Sequence, residues 1–347
     1  MKILFFRLGA IGDVLLTTAA VKKAKELFPG AEIHYLTEEK AAPVLYGNPY
    51  IDRIIPLRQV KHFLPRDFGI FYVAGFLRQH FSGVKYDYFF DLESSYYSVY
   101  VSFFIKAVKK LGFKISRKKR GLYNLFYDRR LDYAEKDRYI AYRYLALINE
   151  ASNFTDADPS PVLKVTPEEK TAAAAFYEKY SVKPGDFVVL FGVSGTWPTK
   201  KWPDINWVGL ARALTEKMDN ARVFVLWGPG DPKELLDVLD VIERVNVIPD
   251  VGLRELITII SGGNLLVAND GAPRHIAQAL GLKTIGLFGP TNEKGWARPD
   301  DNNIVLTADA ACRPCDRLKC EKDGCMSLIR PGRVLESLLA LSGEKVS

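Results

Sequence analysis

Three short segments place glycine, charged residues and proline where a chain could bind a phosphate or move a proton. The first is R-L-G-A-I-G-D, residues 7–13. Gly9 and Gly12 let backbone approach a ligand closely. Asp13 would lie at a helix start, where the positive end of the macrodipole favours a carboxylate. Two readings of Asp13 stand side by side: a cap for that helix, or a general base that takes the proton of an attacking hydroxyl. The second segment is S-G-T-W-P-T-K-K-W-P, residues 194–203. Small polar residues, Lys200, Lys201 and a helix-opening proline make either a phosphate-binding turn or an ordinary basic loop. The third is N-D-G-A-P-R-H, residues 269–275. Pro273 suits a first helical turn. The N–H groups of Gly271, Ala272 and Arg274 would then face a phosphate. Asp270 beside them orders the loop or holds a hydroxyl. Arg274 balances diphosphate charge or lies on the surface, and His275 is a structural histidine or a ligand contact.

Two further segments share this placement. In W-G-P-G-D-P-K-E, residues 227–234, Asp231 and Glu234 either bind ribose hydroxyls or cap a helix, and F-G-P-T, residues 288–291, closes another strand-like run.

The elements that must hold these segments alternate. Strand-like apolar runs cover 2–6, 32–36, 53–57 and 88–92, and helical stretches are expected at 13–27, 94–111 and 136–150. Residues 60–80 have no clean period and read as a loop or short helices beside a cleft. Pro, Asp, Ser and Thr concentrate at 153–167 as in a linker. The alternation then restarts, with strands expected at 187–192, 221–228, 245–248, 264–270 and 283–289. Helices are expected at 204–218, 231–243, 252–261, 273–281 and 331–342, the last packing on either half. Continuous apolar strands belong to parallel sheets covered on both faces. Two βαβ arrays therefore imply two doubly wound α/β domains, and the ends of four strands in the second half converge on one sheet edge.

The chain has 347 residues, 48% of them hydrophobic and 26% charged, which suits two soluble domains. No apolar run reaches the length of a membrane span. The first apolar run reads as a strand and not as a signal peptide, because Arg7 interrupts it. The net charge of +7 points to an anionic partner without naming it. Residues 106–120 are rich in Lys and Arg and hold no acid. Residues 96–105 read as a core helix, with contact to a membrane interface as the sharper alternative. A dinucleotide-dependent oxidoreductase fits poorly, since G-x-G-x-x-G is incomplete and no acid ends the second strand. A non-catalytic binder of nucleic acid or anionic surfaces would leave the strand-end loops unexplained.

Taken together these motifs resemble the ADP-heptose:lipopolysaccharide heptosyltransferases, glycosyltransferase family nine. The matching stretches are G-x-x-G-D with V-L-L-T-T-A-A-V, residues 9–21, and W-P-T-K-K-W-P, residues 197–203. N-D-G-A-P-R-H-I-A-Q-A-L-G, residues 269–281, and F-G-P-T follow in the family's order. The resemblance implies a GT-B fold of two Rossmann-like doubly wound domains facing a central cleft. It implies an acceptor domain at 1–160, a nucleotide-sugar domain at 161–330 and a helix with tail at 331–347. It further implies metal-independent, inverting transfer with Asp13 as the catalytic base. Thr199, Lys200, Glu234, Asp270, Gly271, Ala272 and His275 would hold the donor, an ADP-sugar, and Gly12 and Arg120 the acceptor. The family often has serine or threonine where Gly271 stands, so contact there would rest on backbone. The acceptor implied is a lipopolysaccharide inner core, met by a cytoplasmic enzyme in peripheral contact with the anionic inner membrane, with no nucleic acid partner and no cofactor.

All four cysteines, Cys312, Cys315, Cys320 and Cys325, fall in one segment. This excludes a disulfide scaffold and suggests a reducing compartment. Cys312 and Cys315 could begin a zinc knuckle, but the second pair is spaced loosely for one. A structural metal, free thiols and redox-dependent disulfides all remain open.

Overall fold

The computed structural model describes residues 1–58, 69–114, 125–135, 137–152, 154, 157–321 and 324–343, apart from the side chains of 69, 70 and 96. The chain divides into two compact units, Met1–Lys164 and Val165–Ser347.

The first unit is built on six parallel strands. They are β1 (Lys2–Phe6), β2 (Glu32–Glu38), β3 (Arg53–Leu57), β4 (Lys85–Asp91), β5 (Lys106–Phe113) and β6 (Arg129–Leu131). Their order is β3-β2-β1-β4-β5-β6. Side chains alternate across a strand, so β1 sends Leu4 and Phe6 to one face and Ile3 and Phe5 to the other. Leu4 and Phe6 join a core with Val73, Leu77 and Phe81 of α3 (Gly69–Phe81) and Val101 of α4 (Tyr96–Phe104). On the opposite face Phe5 stacks on Tyr35 and Phe90. There α2 (Thr18–Leu27) packs against α5 (Ala141–Asn149).

The second unit repeats the plan. Its strands are β7 (Phe187–Gly192), β8 (Ala221–Leu226), β9 (Val245–Val247), β10 (Leu265–Asn269), β11 (Lys283–Phe288) and β12 (Asn303–Thr307). They lie in the order β12-β11-β10-β7-β8-β9, again all parallel. One face is covered by α7 (Asp204–Lys217), α8 (Lys233–Asp240) and α11 (Pro331–Ser342). The other carries α6 (Pro167–Lys179), α9 (Leu253–Ser261) and α10 (Ala272–Ala279), with Tyr177 edge-on to Phe224 and its hydroxyl donating to the Ile259 carbonyl. The C-terminal helix thus belongs to the second unit, where it packs on α7 and β11.

Numbered from its own first strand, each sheet has the doubly wound order 3-2-1-4-5-6. Winding reverses between β1 and β4 in the first unit and between β7 and β10 in the second. Ligands of open α/β sheets bind beyond the strand ends at that reversal.

Several expected elements differ. The helix expected over 13–27 is broken into α1 (Ile11–Leu16) and α2. Thr17 and Thr18 donate their hydroxyls to the Val14 and Leu15 carbonyls at 2.6 Å, competing with the helical ladder. The helix expected over 94–111 stops at Phe104, and Ile105 turns the chain into β5. Sheet pairing overrides the local pattern: β5 buries Leu111 and Phe113 while Lys106 and Lys109 stay exposed. Of residues 60–80, expected as a loop or short helices, 60–68 lie outside the described residues and the rest fall in the single helix α3, where Val73, Leu77 and Phe81 recur every four residues on the sheet. The helix expected at 136–150 is shorter, and β6, α6 and β12 were not anticipated. The start of α6 was legible, since Thr166 and Glu169 form a capping box ahead of Pro167.

Gly192 ends β7 opposite Ala268 of β10. A Cβ there would lie 2.7 Å from the Ala268 Cβ, which cannot swing aside. Gly192→Ala should therefore lower stability by about 1–3 kcal/mol through overpacking. Thermal melts of Gly192→Ala with and without Ala268→Gly check this: the second change should restore most of the loss, and an unchanged midpoint in the single variant would rule the clash out.

Candidate active site

The first constellation sits at the β1–β4 reversal. Arg7 follows β1, and Asp13 lies in the first turn of α1. The N-cap position is Ala10 with no side-chain capping bond, so Asp13 does not cap the helix. Its Oδ2 instead accepts from Arg7 Nη2 at 2.7 Å, with the two side chains 19% and 16% exposed. Asp13 Oδ1 accepts no hydrogen bond among the described residues. Arg7 is also 3.5 Å from Glu93, just past β4, and donates to the Leu92 carbonyl. Glu93 in turn accepts from the N–H groups of Leu8 and Gly9 at 3.2 and 3.3 Å. The glycine at position 9 has a steric reason, since a Cβ there would sit 2.9 Å from Arg7 Nε. Gly12 is buried inside α1.

Asp91, at the end of β4, sets the turn that carries Glu93. It is fully buried and accepts from the N–H of Glu93 and Ser94, the Ser98 hydroxyl and the Tyr127 hydroxyl at 2.7–3.0 Å. Burial pushes its carboxyl up to about 6 against the pull of these donors. Arg7, Glu93 and Asp91 were not singled out by sequence. Arg7 stood within the first motif, whereas the two acids become partners only because β4 lies beside β1.

The second constellation sits at the β7–β10 reversal. Asp270 follows β10 and is 4% exposed. It binds Lys200 Nζ at 2.8 Å, Arg274 Nη2 at 2.9 Å and the Thr291 hydroxyl at 3.0 Å. Burial opposes its charge, but Arg274 and then Lys200 outweigh it and hold the carboxyl well below the usual carboxylate range. Arg274 does not lie on the surface: it is fully buried in the first turn of α10. It donates further to Gln278 Oε1 and the Trp296 carbonyl, both at 3.2 Å, and lies over the Phe288 ring. Its stem explains Gly286, where a Cβ would be 2.9 Å from Arg274 Cδ.

His275 is 5% exposed, and burial together with the Arg274 charge pushes its imidazole well below its ordinary value. Its Nε2 lies 3.2 Å from Arg274 Nη2. A guanidinium only donates, so Nε2 accepts and the proton of the neutral ring is on Nδ1. That Nδ1–H is buried and has no partner among the described residues. Gly271 is at the N-cap of α10, where a Cβ would make an ordinary contact 3.8 Å from Pro273 Cδ, and Ala272 opens the helix.

The neighbouring loops are tied together. Asn269 donates to the Val193 carbonyl and accepts from the Trp202 N–H. Asp231 binds Lys201 at 2.7 Å, the Gly228 N–H at 3.0 Å and the Ser194 hydroxyl. The two lysines therefore separate, Lys200 to Asp270 and Lys201 to Asp231. Asp231 ties these loops together and does not cap α8, whose N-cap is Pro232. Thr199 spends its hydroxyl on the Arg317 carbonyl at 2.7 Å. Glu234 is exposed in the first turn of α8. Arg120 lies outside the described residues.

The four cysteines are free thiols lining a cavity of about 630 Å³ with Thr199, Pro290 and Arg317. Among the described residues no group of His, Cys, Asp or Glu is arranged to hold a metal ion. Arg313, within this segment, donates to the Gly289 and Thr291 carbonyls and pairs with Glu293 at 3.0 Å. The cysteine segment thereby braces the turn that carries Thr291. No helix among the described residues is long and apolar enough to cross a membrane.

Known proteins are similar to the chain in both sequence and architecture. The chain is 26% identical to lipopolysaccharide heptosyltransferase 1 of Pseudomonas aeruginosa, with 98% of each chain covered. It is also 26% identical to lipooligosaccharide heptosyltransferase 2 of Haemophilus influenzae, with 88% of each covered. Among solved structures, a glycosyl transferase family 9 protein of Veillonella parvula superposes with a TM-score of 0.85 at 22% identity, covering 98% of this chain and 96% of the other. The E. coli heptosyltransferase WaaC with ADP superposes with a TM-score of 0.75 at 21% identity, covering 98% and 100%. The fold is thus of GT-B type, with two Rossmann-like doubly wound domains as expected. The sequence model of glycosyltransferase family 9 (heptosyltransferase) matches residues 75–325, and the chain belongs to that family.

Proposed function

We propose that this glycosyltransferase moves a heptose from ADP-heptose to the inner core of a lipopolysaccharide, inverting the anomeric carbon without a metal. The observation that carries the reading is the Lys200–Asp270–Arg274 cluster at the β7–β10 reversal. An incoming diphosphate can draw Lys200 away, because Arg274 and Thr291 keep Asp270 compensated. The unused His275 Nδ1–H and the first-turn N–H groups of α10 add donors for the same oxygens. Solved relatives bear on the donor: two E. coli WaaC structures contain ADP and ADP-2-deoxy-2-fluoro heptose. The curated relatives are named for lipopolysaccharide, which bears on the acceptor.

In this reading the second unit holds the nucleotide sugar and the first unit the acceptor. Asp13 Oδ1 takes the proton of the acceptor hydroxyl as that oxygen attacks the anomeric carbon. Arg7 fixes the carboxylate through Oδ2. The bond to the donor's β-phosphate breaks, and Lys200 with the α10 N-terminus stabilises the charge growing on the departing diphosphate. Glu234 and Gly271–Ala272 complete the donor contacts, and the acceptor's lipid anchor brings the enzyme to an anionic membrane surface.

A thermal-shift titration of the purified protein tests the donor. At 100 times the dissociation constant, binding to the folded state alone adds about 2.7 kcal/mol of stability. ADP and ADP-heptose should raise the midpoint by several degrees, and Lys200→Ala should remove most of that rise. A response to UDP or GDP alone would keep a transferase and reject heptose. A response to NAD alone would reject the proposal.

A further inference from the structure

Helices α3 and α4 lie side by side over one face of the first sheet. Both phenylalanines classed as exposed among the described residues are here, Phe71 at 68% and Phe103 at 70%. Tyr72 and Tyr97 are also exposed. Neither helix contains an acidic residue, whereas Arg78 is exposed on α3 and lies 5.9 Å from the centre of the Phe104 ring. Outward aromatic side chains with Arg78 beside them, and no carboxylate on either helix, match an anionic lipid interface. Rings enter the headgroup boundary there while the guanidinium meets phosphates.

We propose that the outer face of α3 and α4 is where this enzyme docks on an anionic phospholipid bilayer. The proposal rests on the reading above that the acceptor is lipid-anchored. It goes further by naming the surface. A water-facing role does not account for two exposed phenylalanines in acid-free helices, and a protein partner would ordinarily be matched by both signs of charge. Docking here would hold the first unit at the plane in which such an acceptor is embedded.

Sedimentation of the full chain with vesicles tests this. Vesicles of phosphatidylcholine alone are compared with vesicles containing one-third phosphatidylglycerol. The variants are Phe71→Ser/Phe103→Ser and, as a control on the second unit, Ile205→Ser, which alters a side chain 75% exposed on α7. The protein should bind the anionic vesicles and not the neutral ones. The double substitution should weaken that binding at least about tenfold, while Ile205→Ser should not. Heptosyl transfer to a water-soluble acceptor is measured on the same preparations. If it persists while vesicle binding is missing, the surface is rejected and the transferase reading stands. If vesicle binding behaves as expected but transfer is absent, the surface stands and the transferase reading falls. Equal vesicle binding by the double variant overturns the proposal. So does a dimer in solution that the double variant dissociates without any vesicle binding, which would assign the face to a second copy.

Discussion

Replacing Asp13 with asparagine should reduce turnover by about 10²–10⁴-fold while leaving the thermal response to ADP in place. The substitution keeps size and shape but removes the carboxylate in the first turn of α1, whose Oδ1 accepts no hydrogen bond among the described residues. Asp13 does not cap α1, so its loss does not undo the helix start. Arg7 keeps Glu93 at 3.5 Å, so the guanidinium is not stranded. A general base contributes in the transition state and little to donor binding, hence the expected separation of the two readouts. Steady-state kinetics with ADP-heptose and a lipopolysaccharide core fragment, run beside melts with ADP, give the answer. Turnover within a few-fold of the parent would remove Asp13 from the mechanism. Loss of folding would show a structural role instead.

Replacing Arg274 with methionine should destabilise the second unit by about 3–5 kcal/mol, the cost of leaving a buried partner charge short of compensation. Arg274 is fully buried, and Asp270 is nearly so. Methionine fills much of the volume over Gly286 but offers nothing to Asp270, Gln278 or the Trp296 carbonyl. Asp270 would then depend on Lys200, and that lysine would be less available to a diphosphate. A urea-denaturation midpoint read with and without ADP checks both consequences. Adding Asp270→Asn to Arg274→Met should recover part of the loss, since the uncompensated charge goes with it. A single variant within about 1 kcal/mol of the parent would show that the cluster adds little to the fold.

The sequence carried a good deal of this by itself. Apolar runs such as 187–192 and 283–289 read as strands of a covered parallel sheet, and their alternation with helices implied two doubly wound halves. The glycine-bearing turns after those strands fixed where ligands would meet the chain, because a parallel sheet gathers all its strand ends on one edge. Tertiary structure decided the rest. Whether residues 106–113 were helix or strand depended on pairing with β4, because their basic, partly apolar pattern fits the end of a helix or a strand with one solvated face. That Asp13 is held by Arg7 and not by a helix end, and that Glu93 and Asp91 complete its surroundings, follows from β4 lying beside β1 although they are more than 75 residues apart in sequence. The separation of Lys200 from Lys201 is equally invisible in a linear reading. Two adjacent lysines look alike until folding sets one beside Asp270 and the other beside Asp231. Residue type and spacing report which groups can do chemistry, but the partner that tunes a charge is set by long-range strand order.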